Sequence, residues 1–286
     1  MLKKLFNFLL LIAILYYANK FIISMEHKDL PKLAPQKDRK AIVVGATSGI
    51  GRQVAKELAK DGYTVGLIGR RLSLLDSLQK EIPTKTFIKQ IDVSQIDPAK
   101  EQLEKFIKKM GGLDLMFISL SAQGDLGAMS STADLEWSQL KKLVDVDVNG
   151  FWMAAHVAVK HFEKQRYGHL VGVSSVLKVQ GSIAAPEYSG AKAFVGRYLD
   201  GIRNRMMTKR LPIYVTEIVP GPVDVERQKY SDVKGFFWVT SKEEAAKQIM
   251  EAIRHKRKDA YISKRWRLVA WAMMIMPDWL YRKVAP

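Results

Sequence analysis

The chain contains no cysteine among its 286 residues, and this absence removes two classes of site. Neither a disulfide framework nor a thiolate-based catalytic or metal site can form, and the redox compartment is left undetermined. Histidine is scarce as well, and its five residues show no metal-ligand spacing. They are His27, His156, His161, His169 and His255. The sequence therefore predicts no bound metal.

The sequence also lacks internal repeats, and nothing in it suggests disorder. With 286 residues, of which 48% are apolar, the chain can bury one sizeable hydrophobic core. We therefore expect a single catalytic domain.

Acidic residues are outnumbered by basic residues, and the formal net charge is +17. Residues 1–40 carry eight Lys or Arg against three acids, and residues 254–286 carry nine against two, so the middle of the chain contributes only +5. A basic core domain would indicate nucleic acid, whereas basic ends beside apolar, tryptophan-bearing segments favour anionic lipid. We expect a membrane partner and no nucleic acid.

The long apolar run lies at the N-terminus, between Leu5 and Ser24. About twenty apolar residues span a bilayer, so the run predicts a membrane anchor over residues 1–25 and a linker over residues 26–40. A cleaved signal peptide or a core helix are the alternatives, although no small-x-small cleavage site comes after the run. More Lys and Arg follow the segment than precede it, which predicts a single-pass anchor with the catalytic domain on the cytoplasmic side.

A glycine-rich turn begins the predicted domain over residues 41–262. The apolar stretch Ala41 to Val44 reads as a buried strand, Gly45-Ala-Thr-Ser-Gly-Ile-Gly51 comes next, and a helical pattern continues to Asp61. In a strand, turn and helix of this kind, glycines let backbone amides at the helix N-terminus approach the pyrophosphate of a dinucleotide. A tight turn without a ligand is the alternative.

The residues after the second predicted strand, Thr64 to Ile68, bear on the choice of dinucleotide. An acid at the end of this strand would bind the ribose 2′-hydroxyl of NAD, but the chain has Gly69-Arg70-Arg71 there. An arginine suits a 2′-phosphate, so the sequence favours NADP(H), with Arg70 as the first candidate and Arg71 as the second.

A tyrosine and a lysine four residues apart carry the candidate chemistry. If Tyr188 begins a helix, Lys192 lies one turn later on the same face, and the ammonium favours the phenolate form of the tyrosine. Tyr188 would then serve as an acid and base, and Ser175, at the end of the preceding strand, would orient the same substrate oxygen. Taken alone, this spacing is also typical of an ordinary pair on a helix surface.

As a set, these residues resemble the short-chain dehydrogenase/reductase superfamily. The resemblance covers residues 40–262 and adds Asp92-Val93 after a third strand and Pro220-Gly221 after a late strand. It implies an α/β fold, a single Rossmann-type doubly wound parallel sheet, with an NAD(P)(H) cofactor and interconversion of a carbonyl and a secondary alcohol. Pairing with a second copy of the chain is left open.

The resemblance also implies residue roles. Ser175 would orient the substrate oxygen, Tyr188 would transfer the proton, and Lys192 would hold the nicotinamide ribose and lower the pKa of the tyrosine. Asp92 would contact the adenine, and the segment from Pro220 to Val223 would border the nicotinamide. The implied cofactor contacts are Gly45, Thr47, Ser48, Gly49, Ile50, Gly51, Arg70, Arg71, Asp92, Val93, Tyr188, Lys192, Pro220, Gly221 and Val223.

The chain departs from the family pattern at several positions. Asp147 stands where the family has its catalytic asparagine, and it brings a negative charge near Lys192 that cannot donate a hydrogen bond when ionised. Other departures affect the adenosine side and the cofactor amide: Val44, Ile118-Ser-Leu-Ser121 and Val225. We expect Asp147 to be a fourth catalytic residue whose part in proton relay is open.

The last part of the chain suggests an apolar ligand and a membrane surface. The loop from Asp224 to Thr240 is rich in aromatic residues, which either cover an apolar substrate or pack on the core. Residues 263–286 form a basic and aromatic extension that is too short to span a bilayer, so it predicts either an amphipathic interfacial helix or a segment packed over the pocket or a partner subunit.

The sequence as a whole predicts an NADP(H)-dependent oxidoreductase at a membrane that interconverts a lipophilic ketone and a secondary alcohol. A steroid, a sphingoid base or another long-chain carbonyl is plausible by resemblance to anchored family members. The rival interpretation, motivated by Asp147 and by the segment 118–121, is a catalytically weak nucleotide sensor or scaffold protein.

Overall fold

A computed structural model describes residues 38–122, 135–226, 229–232 and 237–284 of the chain. Nine strands are present in these residues. They are β1 Lys40–Val44, β2 Thr64–Gly69, β3 Thr86–Gln90, β4 Leu115–Ile118, β5 Gly168–Val173, β6 Ile213–Pro220, β7 Val223–Asp224, β8 Thr240–Ser241 and β9 Asp259–Ile262.

Helices alternate with the strands. They are α1 Gly49–Lys60, α2 Leu72–Glu81, α3 Ile96–Met110, α4 Trp137–Val144, α5 Phe151–Gln165, α6 Pro186–Thr208, α7 Lys242–Arg254, α8 Trp266–Ile275 and α9 Asp278–Val284. A π-helical segment, Asp145–Gly150, joins α4 to α5, and a 3₁₀ turn, Val176–Val179, comes after β5.

Seven of the strands form one sheet in which every paired strand is parallel, in the order β3-β2-β1-β4-β5-β6-β9. The central strands are apolar along most of their length because both faces of the sheet are covered by helices. The chain changes direction across the sheet between β1 and β4. In such a sheet, ligands bind outside the carboxyl ends of the strands at this switch point.

Two hydrophobic cores cover the two faces. One contains residues of α3, α5 and α6, such as Phe106, Phe162 and Leu199, and the other contains residues of α1, α2 and α7, such as Leu58 and Leu75. Both cores consist largely of side chains that are fully buried. The sheet therefore holds the strand ends in fixed positions.

Helix α6 is fastened to the sheet by a buried arginine. The guanidinium of Arg203 donates hydrogen bonds to the carbonyl of Val215 on β6 at 3.1 Å and to the carbonyl of Lys258 at 3.1 Å. Its side chain is 6% exposed and also forms an ion pair with Asp200. Because α6 carries Tyr188 and Lys192, this contact helps to set where both side chains lie.

The predicted parallel α/β sheet is confirmed, with β1 beginning at Lys40 rather than at residue 41. The C-terminal extension folds as α8 and α9. The anchor predicted over residues 1–25 and nearly all of the predicted linker over residues 26–40 lie outside the described residues. Within the parts of the chain that the structure describes, no helix has both the length and the hydropathy needed to cross a bilayer.

Candidate active site

A cleft of about 230 Å³ lies at the carboxyl ends of β1 and β4. Gly45 begins the turn from β1 to α1 with φ of +92°, and a Cβ at this position would lie 2.1 Å from the carbonyl oxygen of Ser119. Only glycine fits both the backbone conformation and this close approach. The turn therefore brings the N-terminus of α1 to the edge of the cleft.

Most of the residues predicted to contact the cofactor line this cleft. They are Gly45, Thr47, Ser48, Gly49, Ile50, Arg70, Arg71, Val93, Tyr188, Lys192, Pro220, Gly221 and Val223. Gly51 is instead buried in the first turn of α1. The carboxylate of Asp92 accepts hydrogen bonds from the amide and the hydroxyl of Ser94, at 3.0 and 2.8 Å.

The two arginines after β2 differ in their contacts. The guanidinium of Arg71 donates to the hydroxyls of Thr47 at 2.6 Å and Ser48 at 3.1 Å, so it bridges β2 and the glycine-rich turn. The backbone carbonyl of Arg70 accepts a hydrogen bond from the side chain of Gln90 at 2.8 Å. Both arginines line the cleft at the end of β2. In the sheet, β2 lies on one side of β1, and β4 and β5 lie on the other side.

Tyr188 and Lys192 lie one turn apart near the start of α6, as predicted. Pro186 begins this helix, where its fixed φ and missing N–H are tolerated. The ammonium of Lys192 lies 5.3 Å from the centre of the Tyr188 ring. The hydroxyl of Ser175 hydrogen-bonds Tyr188 and also accepts from the amide of Leu177 at 3.2 Å, so the three side chains meet at one place.

Lys192 forms a buried ion pair with Asp147. The ammonium lies 3.1 Å from Oδ2 of Asp147, and the two side chains are 3% and 0% exposed. The ammonium also donates to the carbonyl of Leu120 at 2.7 Å, while Oδ1 of Asp147 accepts from the amide of Ala122 at 2.7 Å. Asp147 is therefore joined to the candidate catalytic residues, as predicted, but through Lys192.

Asp147 reaches this position because it lies in the π-helical segment. Single π turns inside α-helices are frequent at functional sites, since they shift the side chains of the helix around its axis. Here Asp147 is buried, while Asn149 is turned away and donates to the carboxylate of Asp145 at 3.1 Å.

The expected electrostatic effect on Tyr188 is reversed in the structure. Burial raises the pKa of Tyr188 well above its ordinary value, the carboxylate of Asp147 raises it further, and the hydrogen bond from Ser175 lowers it by less. Lys192 does not offset this rise, and its ammonium lies 3.1 Å from the carboxylate of Asp147. Tyr188 therefore holds its proton firmly.

Sequence reasoning missed Glu226, which follows β7 and whose carboxylate contacts the glycine-rich turn. Its carboxylate accepts a hydrogen bond from the amide of Gly49 at 2.9 Å and forms an ion pair with Lys242. These contacts lower the pKa of Glu226 to about 2 against the opposing effect of partial burial. No local pattern reveals a contact between residues so far apart in the chain.

A second buried pair, also missed, lies behind Ser175. The ammonium of Lys178, in the 3₁₀ turn after Ser175, is 2.6 Å from the carboxylate of Glu217, which is 1% exposed. A sequence signal existed for it, since Glu217 interrupts a largely apolar central strand. A buried charge in such a strand requires a partner. The pair fixes the turn that carries Ser175.

Among the described residues, no group of three or more His, Asp or Glu side chains is arranged to hold a metal ion.

Residues 39–234 match the model of the family described as short chain dehydrogenase. An uncharacterized oxidoreductase from Myxococcus xanthus is 30% identical over 197 residues, which is 68% of this chain and 76% of the relative.

Solved structures share the fold at low sequence identity. A 7beta-hydroxysteroid dehydrogenase superposes with a TM-score of 0.70 at 21% identity, covering 86% of this chain and 96% of the other. A short-chain dehydrogenase from Sphingobium yanoikuyae in complex with NADPH superposes with a TM-score of 0.67 at 18% identity, covering 84% and 97%.

The carboxylate of Glu226 gives the stability of the chain a defined dependence on pH. Its pKa falls from 4.5 to about 2 on folding, so its contribution is complete above pH 4.5 and disappears as the pH approaches 2. We expect Glu226→Gln to lower the free energy of unfolding at neutral pH, and the gap from the unsubstituted chain to narrow at about pH 3. Urea denaturation at both pH values measures this gap.

Glu104→Gln is the matched control, because Glu104 forms one ion pair with Lys100 on α3, away from the cleft. A gap for Glu226→Gln that is independent of pH would contradict the assigned contacts.

Proposed function

The chain belongs to the short-chain dehydrogenase family, and we propose that it is an NADP(H)-dependent oxidoreductase that interconverts a lipophilic ketone and a secondary alcohol. The observation that carries the proposal is the meeting of Ser175, Tyr188 and Lys192, since Tyr188 and Lys192 line the same cleft as the glycine-rich turn. A cleft that lacked chemistry would have no physical need for a hydroxyl, a phenol and a buried ammonium at one point.

Two features of the cleft fit a dinucleotide. The amide of Gly49, at the N-terminus of α1, already binds a carboxylate, as expected for a position that attracts an anion. A phosphate group would compete with Glu226 for the same amide. The second feature is the pair Arg70 and Arg71, which line the cleft. Their positive charge suits a ribose 2′-phosphate and supports NADP(H) over NAD(H).

In the proposed reaction, a bound nicotinamide supplies or takes up the hydride. Tyr188 donates its phenolic proton to the substrate oxygen during reduction and takes it back during oxidation. Ser175 holds the same oxygen through its hydroxyl. Lys192 stays fixed by Asp147 and by the carbonyl of Leu120. The raised pKa of Tyr188 keeps the phenol protonated near neutral pH, which is the form that donates a proton during reduction.

The proposed substrate is lipophilic because apolar and aromatic side chains surround the mouth of the cleft. Leu120, Val146 and Tyr230 line the cleft. We also propose a membrane location, with the apolar N-terminal segment as a single-pass anchor and the catalytic domain on the cytoplasmic side. The basic residues at both ends of the chain support it.

The second candidate function is a nucleotide-binding sensor or scaffold that performs little chemistry. The buried pair between Asp147 and Lys192 favours it, because this pair neutralises the ammonium that would otherwise assist Tyr188. The intact contact between Ser175 and Tyr188 favours the enzyme.

Removing the phenolic hydroxyl distinguishes these two functions. Tyr188→Phe should cut turnover by about two orders of magnitude or more, as expected when a general acid is lost, while NADPH affinity stays nearly unchanged. NADPH consumption across a panel of lipophilic carbonyls and a fluorescence titration measure the two quantities. Tyr198→Phe is the matched control, since Tyr198 lies on the same helix and stacks on Phe194. Normal turnover by Tyr188→Phe would remove the catalytic role.

The negative charge of Asp147 should shift the pH profile of the reaction. Because the carboxylate raises the pKa of Tyr188, Asp147→Asn lowers it, and reduction requires the protonated tyrosine. The alkaline fall in the turnover of Asp147→Asn should therefore occur at lower pH than in the unsubstituted chain. Asp145→Asn, in the same π-helical segment but paired with the exposed Lys141, should leave the profile unchanged. Identical profiles for both variants would exclude the electrostatic effect.

The arginines after β2 should set the choice of cofactor. NADPH should bind at least about tenfold more tightly than NADH, a gap of about 1.4 kcal/mol, and Arg70→Ala should remove most of it. Arg71→Ala should weaken NADPH and also loosen the turn, through the lost bonds to Thr47 and Ser48. Titration of each variant with both cofactors tests this. Arg254→Ala, in an exposed pair with Asp61, is the control. Equal affinities in the unsubstituted chain would contradict the assignment.

A further inference from the structure

Helix α8 carries apolar side chains on two opposite sides. On one side Trp266 and Ala270 are buried against the 3₁₀ turn after Ser175. At 3.6 residues per turn, Leu268 and Ile275 lie on the other side, where they are 61% and 81% exposed. A solvent-facing helix normally presents polar residues there. This outer side of α8 therefore has the composition of a buried surface without a cover among the described residues.

Cations and tryptophans border this apolar stripe. The guanidinium of Arg267 lies 5.8 Å from the centre of the Trp271 ring, and on α9 the ammonium of Lys283 lies 5.6 Å from that of Trp279, which is 60% exposed. Apolar side chains flanked by tryptophan and by basic residues are typical of helices that lie in the headgroup region of a bilayer.

The same helix also touches the cleft. The indole of Trp266 lies so close to Gly221, which lines the cleft, that a Cβ at Gly221 would be 2.4 Å from it. The Trp266 ring also stacks on Phe237 with the ring centres 5.1 Å apart, and its N–H donates to the carbonyl of Trp238 at 3.3 Å. Phe237 and Trp238 are 50% and 41% exposed. Trp266, on the buried side of α8, is therefore the residue that meets the cleft, and the apolar stripe lies on the opposite side of the same helix.

We propose that the exposed side of α8 and α9 is a docking surface for an anionic phospholipid bilayer. We call it the α8–α9 surface. The docked chain would hold the mouth of its cleft one helix diameter, about 10 Å, from the lipid, so that a lipophilic carbonyl would reach Tyr188 from the bilayer. This second part rests on the proposed function, whereas the docking itself does not.

Charge selects lipid over the two other occupants that an apolar surface admits. Residues 264–284, which contain α8 and α9, carry five Lys or Arg against one acid, so a second copy placed symmetrically on this surface would meet like charge. Residues 1–40 of the same chain are also basic, with eight Lys or Arg against three acids. An anionic headgroup layer complements the surface, and its acyl region takes Leu268 and Ile275.

The absence of cysteine permits a site-specific test on the full-length chain. Ile275→Cys and, as control, the exposed Lys108→Cys on α3 are each labelled with a polarity-sensitive fluorophore. Both variants are then reconstituted in vesicles of phosphatidylcholine and phosphatidylglycerol that contain nitroxide-labelled lipid. A local probe is needed because the apolar segment near the N-terminus would hold any variant on the vesicles.

The label at position 275 should shift to shorter wavelength and be quenched on the order of threefold more strongly than the label at position 108. High salt and pure phosphatidylcholine should reduce the shift. Three results would overturn the proposal: a water-like spectrum at position 275 in anionic vesicles, a shift that depends on protein concentration without lipid, and a shift without lipid at high dilution. A shift that depends on protein concentration would assign the surface to a second copy. A shift at high dilution without lipid would assign it to the chain's own N-terminal segment.

The orientation toward the cleft has a separate readout. Leu268→Glu combined with Ile275→Glu should slow reduction of hexadecan-2-one embedded in anionic vesicles about tenfold, since two added negative charges are repelled by the headgroups. Reduction of water-soluble cyclohexanone should stay unchanged. Equal rates of the variant and the unsubstituted chain on the embedded ketone would disprove lipid access. Inactivity of the unsubstituted chain on both ketones would instead count against the proposed function, and the fluorescence result would still decide the docking.

Discussion

The ion pair between Lys192 and Asp147 is the contact on which the geometry of the cleft depends. It joins α6 to the π-helical segment, and its two side chains also bind the carbonyl of Leu120 and the amide of Ala122, which come after β4. Removing two charges from water costs several kcal/mol per ion, and only good geometry with further hydrogen bonds repays this cost. Because both partners have such bonds, three separate segments are held at one point beside Tyr188.

The pair also decides the electrostatics of the candidate chemistry. A lone buried ammonium near the phenol would favour the phenolate, but a compensated one does not. Tyr188 consequently experiences burial and the carboxylate more than the lysine, and its pKa is raised. An asparagine at this position would accept a hydrogen bond from the same amide without adding a charge, so the aspartate raises the proton affinity of Tyr188. Asp147 therefore makes Tyr188 less ready to release its proton.

A second carboxylate acts at the opposite end of the cleft. Glu226 approaches from the segment after β7 and occupies the amide of Gly49, with Lys242 as its counter-ion. The N-terminus of a helix stabilises a negative charge there, whether it belongs to the protein or to a phosphate. Trp266 of α8 contacts Gly221, so the late part of the chain meets the cleft at Gly221 as well as at Glu226.

The parallel sheet was implied by the resemblance to a family, whereas the sequence by itself determined the glycine-rich turn after β1 and the spacing of Tyr188 and Lys192. The turn and the spacing arise from local periodicity, or from backbone requirements that act within a few residues, and the structure agrees with them. Tertiary structure alone decided that Asp147 compensates Lys192, that Glu226 binds Gly49, and that α8 packs one side of its surface and exposes the other. The first contact joins two different helical segments, and the second joins residues that are 177 positions apart. Their energies depend on burial and on distances between side chains, which no local pattern encodes.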